Sequence, residues 1–391
     1  MRTIQRNIDG PLDFELQRPR DAQVAYIADL PDGPAQGLAF LIPGFGADTG
    51  IDYAQALRRH VVEQHGLVAV SVRYHCHGAR PTNGAAVTLD PRDGYFLIGL
   101  AAANGVELGD PRDVMDVARR LSAAGVECQL WATLEPARGE YQNFGIVQAM
   151  DHLAVLGDLI DQGASFDRSR IVALGSSHGG YIAHMIAKIA PRTLALVIDN
   201  SSYVQPPMEY LGRPTSIECV DTIAPGVTVF CRVRSGWSYD DRQAPDFYDR
   251  DRDLIRDLGY PPHLAAARAA AGASGTSFRM AVAAIDDISP PLVKLRQTAA
   301  HRASGFDSQL AVIGKAELDG RVFKRLVHGL DASLAGLFDT AVPALQPREG
   351  PLDLEAQSVV EYECVDSTYR FTHLAAAPYV RGEVISRFFE D

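Results

Sequence analysis

Short, continuous apolar runs alternate with stretches of helical periodicity along most of the chain. Leu38–Ile42 is such a run and ends in Pro43-Gly44-Phe45-Gly46. Extended runs at Leu12–Leu16 and Val24–Ala28 precede it, predicting edge strands that lead into a buried strand and a glycine loop. A helix is expected over Tyr53–Gln64, followed by the valine-rich strand Leu67–Val72. Ile146, Met150, Leu153, Leu156 and Ile160 recur at helical spacing, and Gly163 supplies a stop. Ile171–Leu174 then reads as a strand, Tyr181–Ala190 as a helix ended by Pro191, and Leu194–Ile198 as a strand ending at Asp199. The rhythm resumes later with strand-like Phe278–Ile285, a helix over Leu292–Ala303 and strand-like Leu310–Ile313. Strands that are apolar throughout, joined by helices, predict an α/β fold with a mostly parallel central sheet covered on both faces.

Two segments break this rhythm. Residues of about 75–140 are rich in Gly, Pro and Asp around a helix expected at Asp113–Ala124 and a strand at Glu127–Ala132. Residues of about 201–276 carry Trp237, several Tyr and a run of Asp and Arg. The first reads as an elaborated crossover and the second as an insertion the size of a lid. From about 351 a hairpin pattern, Val359–Cys364 and Tyr369–Thr372, is followed by an expected terminal helix. With no internal repeat and no low-complexity linker, residues 1–391 are expected to form a single domain carrying these insertions.

Composition narrows the partners. A net charge of −12 without a basic cluster disfavours nucleic acid and anionic membrane surfaces. No apolar run approaches the ~20 residues of a membrane span, and the N-terminus lacks a secretory apolar stretch. Five widely spaced cysteines argue against a disulfide framework or zinc ribbon, and the expected location is the cytoplasm. His75 and His77 flank Cys76 without a third ligand at useful spacing, so no metal is expected. No glycine pattern opens a nucleotide site, and no cofactor is expected.

Chemistry concentrates in Gly175-Ser176-Ser177-His178-Gly179-Gly180, set between a strand and a helix. This is G-x-S-x-G in the strand–turn–helix context of a nucleophile elbow, with Ser177 as the nucleophile. Glycines two before and two after the serine let the turn strain it without clashes, and the following helix turns its positive end toward developing negative charge. Oxyanion donors are expected at the backbone N–H groups of His178 and of Phe45 in the early glycine loop. A serine hydroxyl needs a histidine base oriented by a carboxylate, following in the order Ser, acid, His. Asp286 and Asp287 end the strand Phe278–Ile285, and Asp199 ends the one before the lid. Among the histidines beyond Asp286, His301 falls inside the next helix, His328 stands with Gly329 before an apolar helix, and His373 lies beyond the hairpin. The separation of 42 residues from Asp286 to His328 holds one helix, one strand and a loop, which favours His328 over His373.

Over nearly its whole length the sequence resembles the α/β-hydrolase superfamily, with an elbow similar to those of its esterase and prolyl-oligopeptidase branches. In such hydrolases the acid commonly sits four residues before a proline, which picks Asp286 ahead of Pro290. Pro43 stands where many members have histidine in the oxyanion loop. More narrowly, Glu140–Ile146, Gly175–Tyr181, Ile198–Ser202 and His328-Gly329 resemble a bacterial family of unsettled function often encoded near flagellin-glycosylation and nonulosonic-acid genes. That resemblance implies an acylated, sialic-acid-like sugar as substrate.

The expected activity is therefore hydrolysis of a carboxylic ester in a small acylated molecule. An acyltransferase would use the same residues. A peptidase fits less well, because no propeller-sized N-terminal domain and no paired-acid motif for a peptide amine are seen. A hydrolase-fold scaffold without catalysis is the alternative from another class. Tyr203, Tyr210, Trp237 and Tyr239 are expected to form an aromatic wall of the specificity region or a small satellite core.

Overall fold

The computed structural model describes residues 1–110, 113–214 and 216–387. It divides into two compact units, one of Met1–His75, Phe144–Pro206 and Tyr248–Asp391, the other of Cys76–Asn143 and Pro207–Phe247.

The first unit is built on an eight-stranded sheet of Arg2–Ile8, Val24–Leu30, Leu38–Ile42, Val68–Arg73, Ile171–Ser176, Leu196–Asn200, Ser277–Ala283 and Ser308–Ile313. Counted along the chain, the strands stand in the order 1-2-4-3-5-6-7-8. The second runs antiparallel to the first and the fourth, and every other neighbouring pair is parallel. This order, with a sharp strand–turn–helix after the fifth strand, is the α/β-hydrolase fold.

Alternation along the strands shows why both faces must be covered. Ala39 and Leu41 join Leu57, Val61 and Val62 of helix Asp52–His65 and Leu337, Phe338 and Ala341 of helix Leu334–Ala341 in one core. Phe40 points the other way, edge-on to His152 of helix Ile146–Asp161. Asp199 likewise faces away from that core, toward helices His178–Ile189 and Pro291–Ala303.

A three-stranded antiparallel sheet, Val359–Glu363, Ser367–His373 and Val380–Ser386, closes the chain. The expected terminal helix is thus replaced by a third strand. Its register sets Gly382 against Phe371, and Gly382 gives Phe14 room: a Cβ there would lie 2.3 Å from the Phe14 ring. Phe14 in turn packs edge-on against Tyr369 and Phe371. The expected strand at Leu12–Leu16 is therefore a turn that plugs this sheet, and the N-terminal strand is the polar Arg2–Ile8.

The second unit draws on both expected insertions. Its sheet pairs Ala86–Leu89, Cys128–Glu135, Val227–Val233 and Cys219–Ala224, with strands from both insertions running parallel at the centre. Leu97, Val117, Leu121, Leu130, Val227 and Val229 give it a core of its own. The second insertion ends at Phe247, and Tyr248 onward returns to the first unit. Among the described residues no helix is long and apolar enough to cross a membrane.

Within the first unit, Arg256 is fully buried against Glu15, with guanidinium–carboxylate distances of 3.0 and 2.5 Å, and Tyr369 donates to the same carboxylate. Removing one partner strands the other charge in the interior. Glu15→Ala should lower unfolding stability by about 3–5 kcal/mol, whereas Glu15→Leu with Arg256→Met should recover most of it. Urea unfolding checks this, and an unchanged midpoint in the single variant would contradict it.

Candidate active site

The elbow follows from what cannot fit there. A Cβ on Gly175 would lie 2.2 Å from the carbonyl carbon of Gly179, and one on Gly179 would lie 2.1 Å from the Ile42 carbonyl oxygen. The backbone reverses between them with Ser177 at φ 53°, ψ −119°, a conformation that costs a non-glycine residue about 1–3 kcal/mol. Its N–H donates to the Asn200 carbonyl at 2.8 Å, and helix His178–Ile189 starts at the next residue.

Because the fifth, seventh and eighth strands are parallel, the loops that leave them gather at one edge of the sheet. Asp286 follows the seventh strand, and its Oδ1 accepts the N–H groups of Ile288 at 3.1 Å and Ser289 at 2.8 Å. His328 lies beyond the eighth strand in a tight turn where Gly329 has φ 75°. Its Nδ1 sits 3.1 and 3.0 Å from the two Asp286 carboxylate oxygens, and its Nε2 sits 2.8 Å from Ser177 Oγ. With Nδ1–H donating to the carboxylate, Nε2 is left to accept the serine proton.

The other residues weighed for these roles lie elsewhere. Asp287 is exposed. Asp199 is buried against Lys294, whose Nζ is 2.7 Å from Oδ2, and against His184 at 3.0 Å. Burial alone would raise its carboxyl pKa, but Lys294 and His184 hold it well below the usual range. His373 bonds to the Ile189 carbonyl at 3.0 Å, and His301 packs on Phe278 with ring centroids 4.3 Å apart. Ser176 Oγ accepts from Asn200 Nδ2 at 3.1 Å and so has a different partner from Ser177.

The early glycine loop reaches the elbow: a Cβ on Gly44 would lie 2.9 Å from the Ser176 carbonyl and 3.3 Å from Ser177 Cβ. Phe45 stacks on the His178 ring at 4.1 Å, while His178 Nε2 bonds to Gln148 Oε1 at 2.8 Å. Burial lowers the His178 pKa to about 3, so the ring is neutral and acts as packing. Its backbone N–H opens the helix, where no earlier carbonyl of that helix can accept it.

Two neighbours differ from the sequence reading, which gave Asn200 no role and Tyr203 only a place in an aromatic wall or satellite core. Asn200 Nδ2 bonds to both Ser176 Oγ and the Gly329 carbonyl, the latter at 2.9 Å, and so ties the histidine loop to the elbow. Tyr203, placed by sequence in the lid, belongs to the first unit; its hydroxyl is 3.3 Å from Ser177 Oγ and its ring lies along His328. Asn200 ends the sixth strand and Tyr203 follows it in the next turn, beside the elbow strand, and that position was the available signal. Trp237 instead packs edge-on against Tyr141 inside the second unit, as a satellite core does.

Similar solved structures include a Mycobacterium tuberculosis puromycin-hydrolyzing peptidase (12% identity, TM-score 0.44, covering 87% of this chain and 39% of that one). Others are the Pyrococcus horikoshii acylaminoacyl peptidase (12%, 0.47, 91% and 44%) and the carboxylesterase Cest-2923 from Lactobacillus plantarum (11%, 0.42, 81% and 84%). This chain thus spans less than half the length of the two peptidases. No curated protein matches it in sequence. Residues 5–377 match the family described as "Protein of unknown function (DUF2920)", and the chain belongs to that family.

Proposed function

We propose that this protein is a serine hydrolase that cleaves a carboxylic ester in a small acylated molecule, with an acylated sugar as the favoured substrate class and the cytoplasm as its location. The observation that carries the reading is the unbroken chain of hydrogen bonds from Asp286 through His328 to the strained Ser177. No metal or cofactor has a part in this chemistry.

In the proposed reaction Ser177 Oγ attacks the acyl carbon as His328 Nε2 takes its proton. The carbonyl oxygen becomes an oxyanion and accepts the N–H groups of His178 and Phe45. Collapse breaks the ester C–O bond, and the leaving alcohol takes the proton from His328. A water then adds to the acyl-enzyme, giving a proton to His328 and releasing the carboxylic acid, and the proton returns to Ser177. Asp286 stays ionised and stabilises the imidazolium. Tyr203 contributes a donor beside the nucleophile, and Asn200 keeps the His328 loop in register with the elbow.

A panel of acyl esters and acetylated sugars tests the reading. Ser177→Ala should leave no turnover above background, while Ser176→Ala should retain most of it. Equal loss in two well-folded variants would contradict the assignment.

Asp286→Asn should lower kcat by about 10⁴ without unfolding the protein, because the amide favours the wrong tautomer of His328. Asp287→Asn should stay near the parent rate, and the reverse pattern would overturn the choice of acid.

Tyr203→Phe should lower kcat by roughly tenfold with little change in KM, the effect of losing one neutral hydrogen bond near the reacting oxygen. An unchanged kcat would remove Tyr203 from the machinery.

A further inference from the structure

Helix Asp52–His65 carries two histidines near its C-terminal end, and Gly66 closes it in the left-handed conformation at φ 63°. Five residues separate His60 from His65, or about 140° around a helix, so their rings do not meet by periodicity alone. Both are nonetheless turned toward helix Leu334–Ala341. His60 Nε2 and His65 Nε2 each approach Asp339 Oδ1 at 2.7 Å, and the three donor atoms lie within 4.8 Å of one another. The His65 ring is steadied edge-on against Phe338, with centroids 5.0 Å apart.

We propose that His60, His65 and Asp339 form a binding site for a divalent transition-metal ion of the zinc class. Two imidazole nitrogens and one carboxylate oxygen are the donor set such ions take, and a hard, oxygen-seeking cation such as magnesium would be poorly matched. Donors on a tetrahedral ion at the usual bond lengths stand about 3.3 Å apart, so each histidine nitrogen, now 2.7 Å from Asp339 Oδ1, has to draw back from that oxygen to admit the ion. Asp339 is half-exposed, which leaves the fourth position to water.

The site is separate from Ser177, and the ion has no part in the ester chemistry. Its two helices nevertheless follow, respectively, the Pro43–Gly46 loop and the His328 turn. A bound ion would pin the elements that carry these two loops and stabilise the folded state.

The test uses the untagged full chain after chelator treatment. Calorimetric titration with zinc should show one equivalent bound, and cobalt(II) should produce the visible absorption of tetrahedral coordination. Zinc should raise the melting temperature by roughly 2–5 °C. His60→Ala and Asp339→Ala should each weaken binding at least about tenfold and abolish the thermal shift, with Ser177 labelling unchanged. Absence of stoichiometric binding, or binding of the same strength in both variants, would overturn the proposal and leave the cluster as a hydrogen-bonded clamp between two helices.

Discussion

The strained backbone of Ser177 is the constraint on which the rest of the first unit depends. A residue at φ 53°, ψ −119° relaxes unless its neighbours prevent it. Here the fifth strand fixes one side, the helix from His178 fixes the other, and the Ser177 N–H is held by the Asn200 carbonyl. Gly175 and Gly179 then become obligatory, since the backbones of strand, helix and the Ile42 carbonyl meet where side chains would stand. What the fold gains from this cost is a hydroxyl lifted clear of the sheet edge, within reach of a histidine from a distant part of the sequence.

Behind that edge lies a polar network whose members fix one another. Lys294 and Ser202 both donate to Asp199 Oδ2, at 2.7 Å each, and Ser289 Oγ donates to the Ser202 carbonyl at 2.6 Å. The Ser289 N–H reaches Asp286, which orients His328. Asp199 therefore supports the Asp286 loop from a distance and sets the start of the turn that presents Tyr203. Lys294 and Asp199 are both fully buried, so neither charge would be tolerable without the other.

The legible parts of the sequence were those with local signatures. Leu38–Ile42 and the run Leu194–Ile198, which leads into the sixth strand, are buried throughout and so read as continuous apolar runs. The elbow announced itself through Gly175 and Gly179, and the order of Asp286 and His328 along the chain directed attention to residues that the fold gathers around Ser177. What stayed hidden depends on pairing between distant segments. Arg2–Ile8 is a polar edge strand without an apolar run, and Val380–Ser386 is fixed by its partner Ser367–His373 and by Phe14 packed on Gly382. Nothing local shows that Cys128–Glu135 and Val227–Val233 pair with each other, because their register is set across almost a hundred residues. The contact of Tyr203 with Ser177 was missed for a similar reason: it depends on the turn after the sixth strand, where Ser201 takes φ 60°.

The central claim is that this geometry makes Ser177 a nucleophile. Its most direct test is reaction of the folded protein with a fluorophosphonate probe, followed by mapping of the modified peptide, in the parent and in His328→Ala. The account predicts a single adduct on Ser177 that disappears in the variant. A folded protein that takes up no probe, or an adduct on Ser177 that forms equally fast without His328, would contradict it.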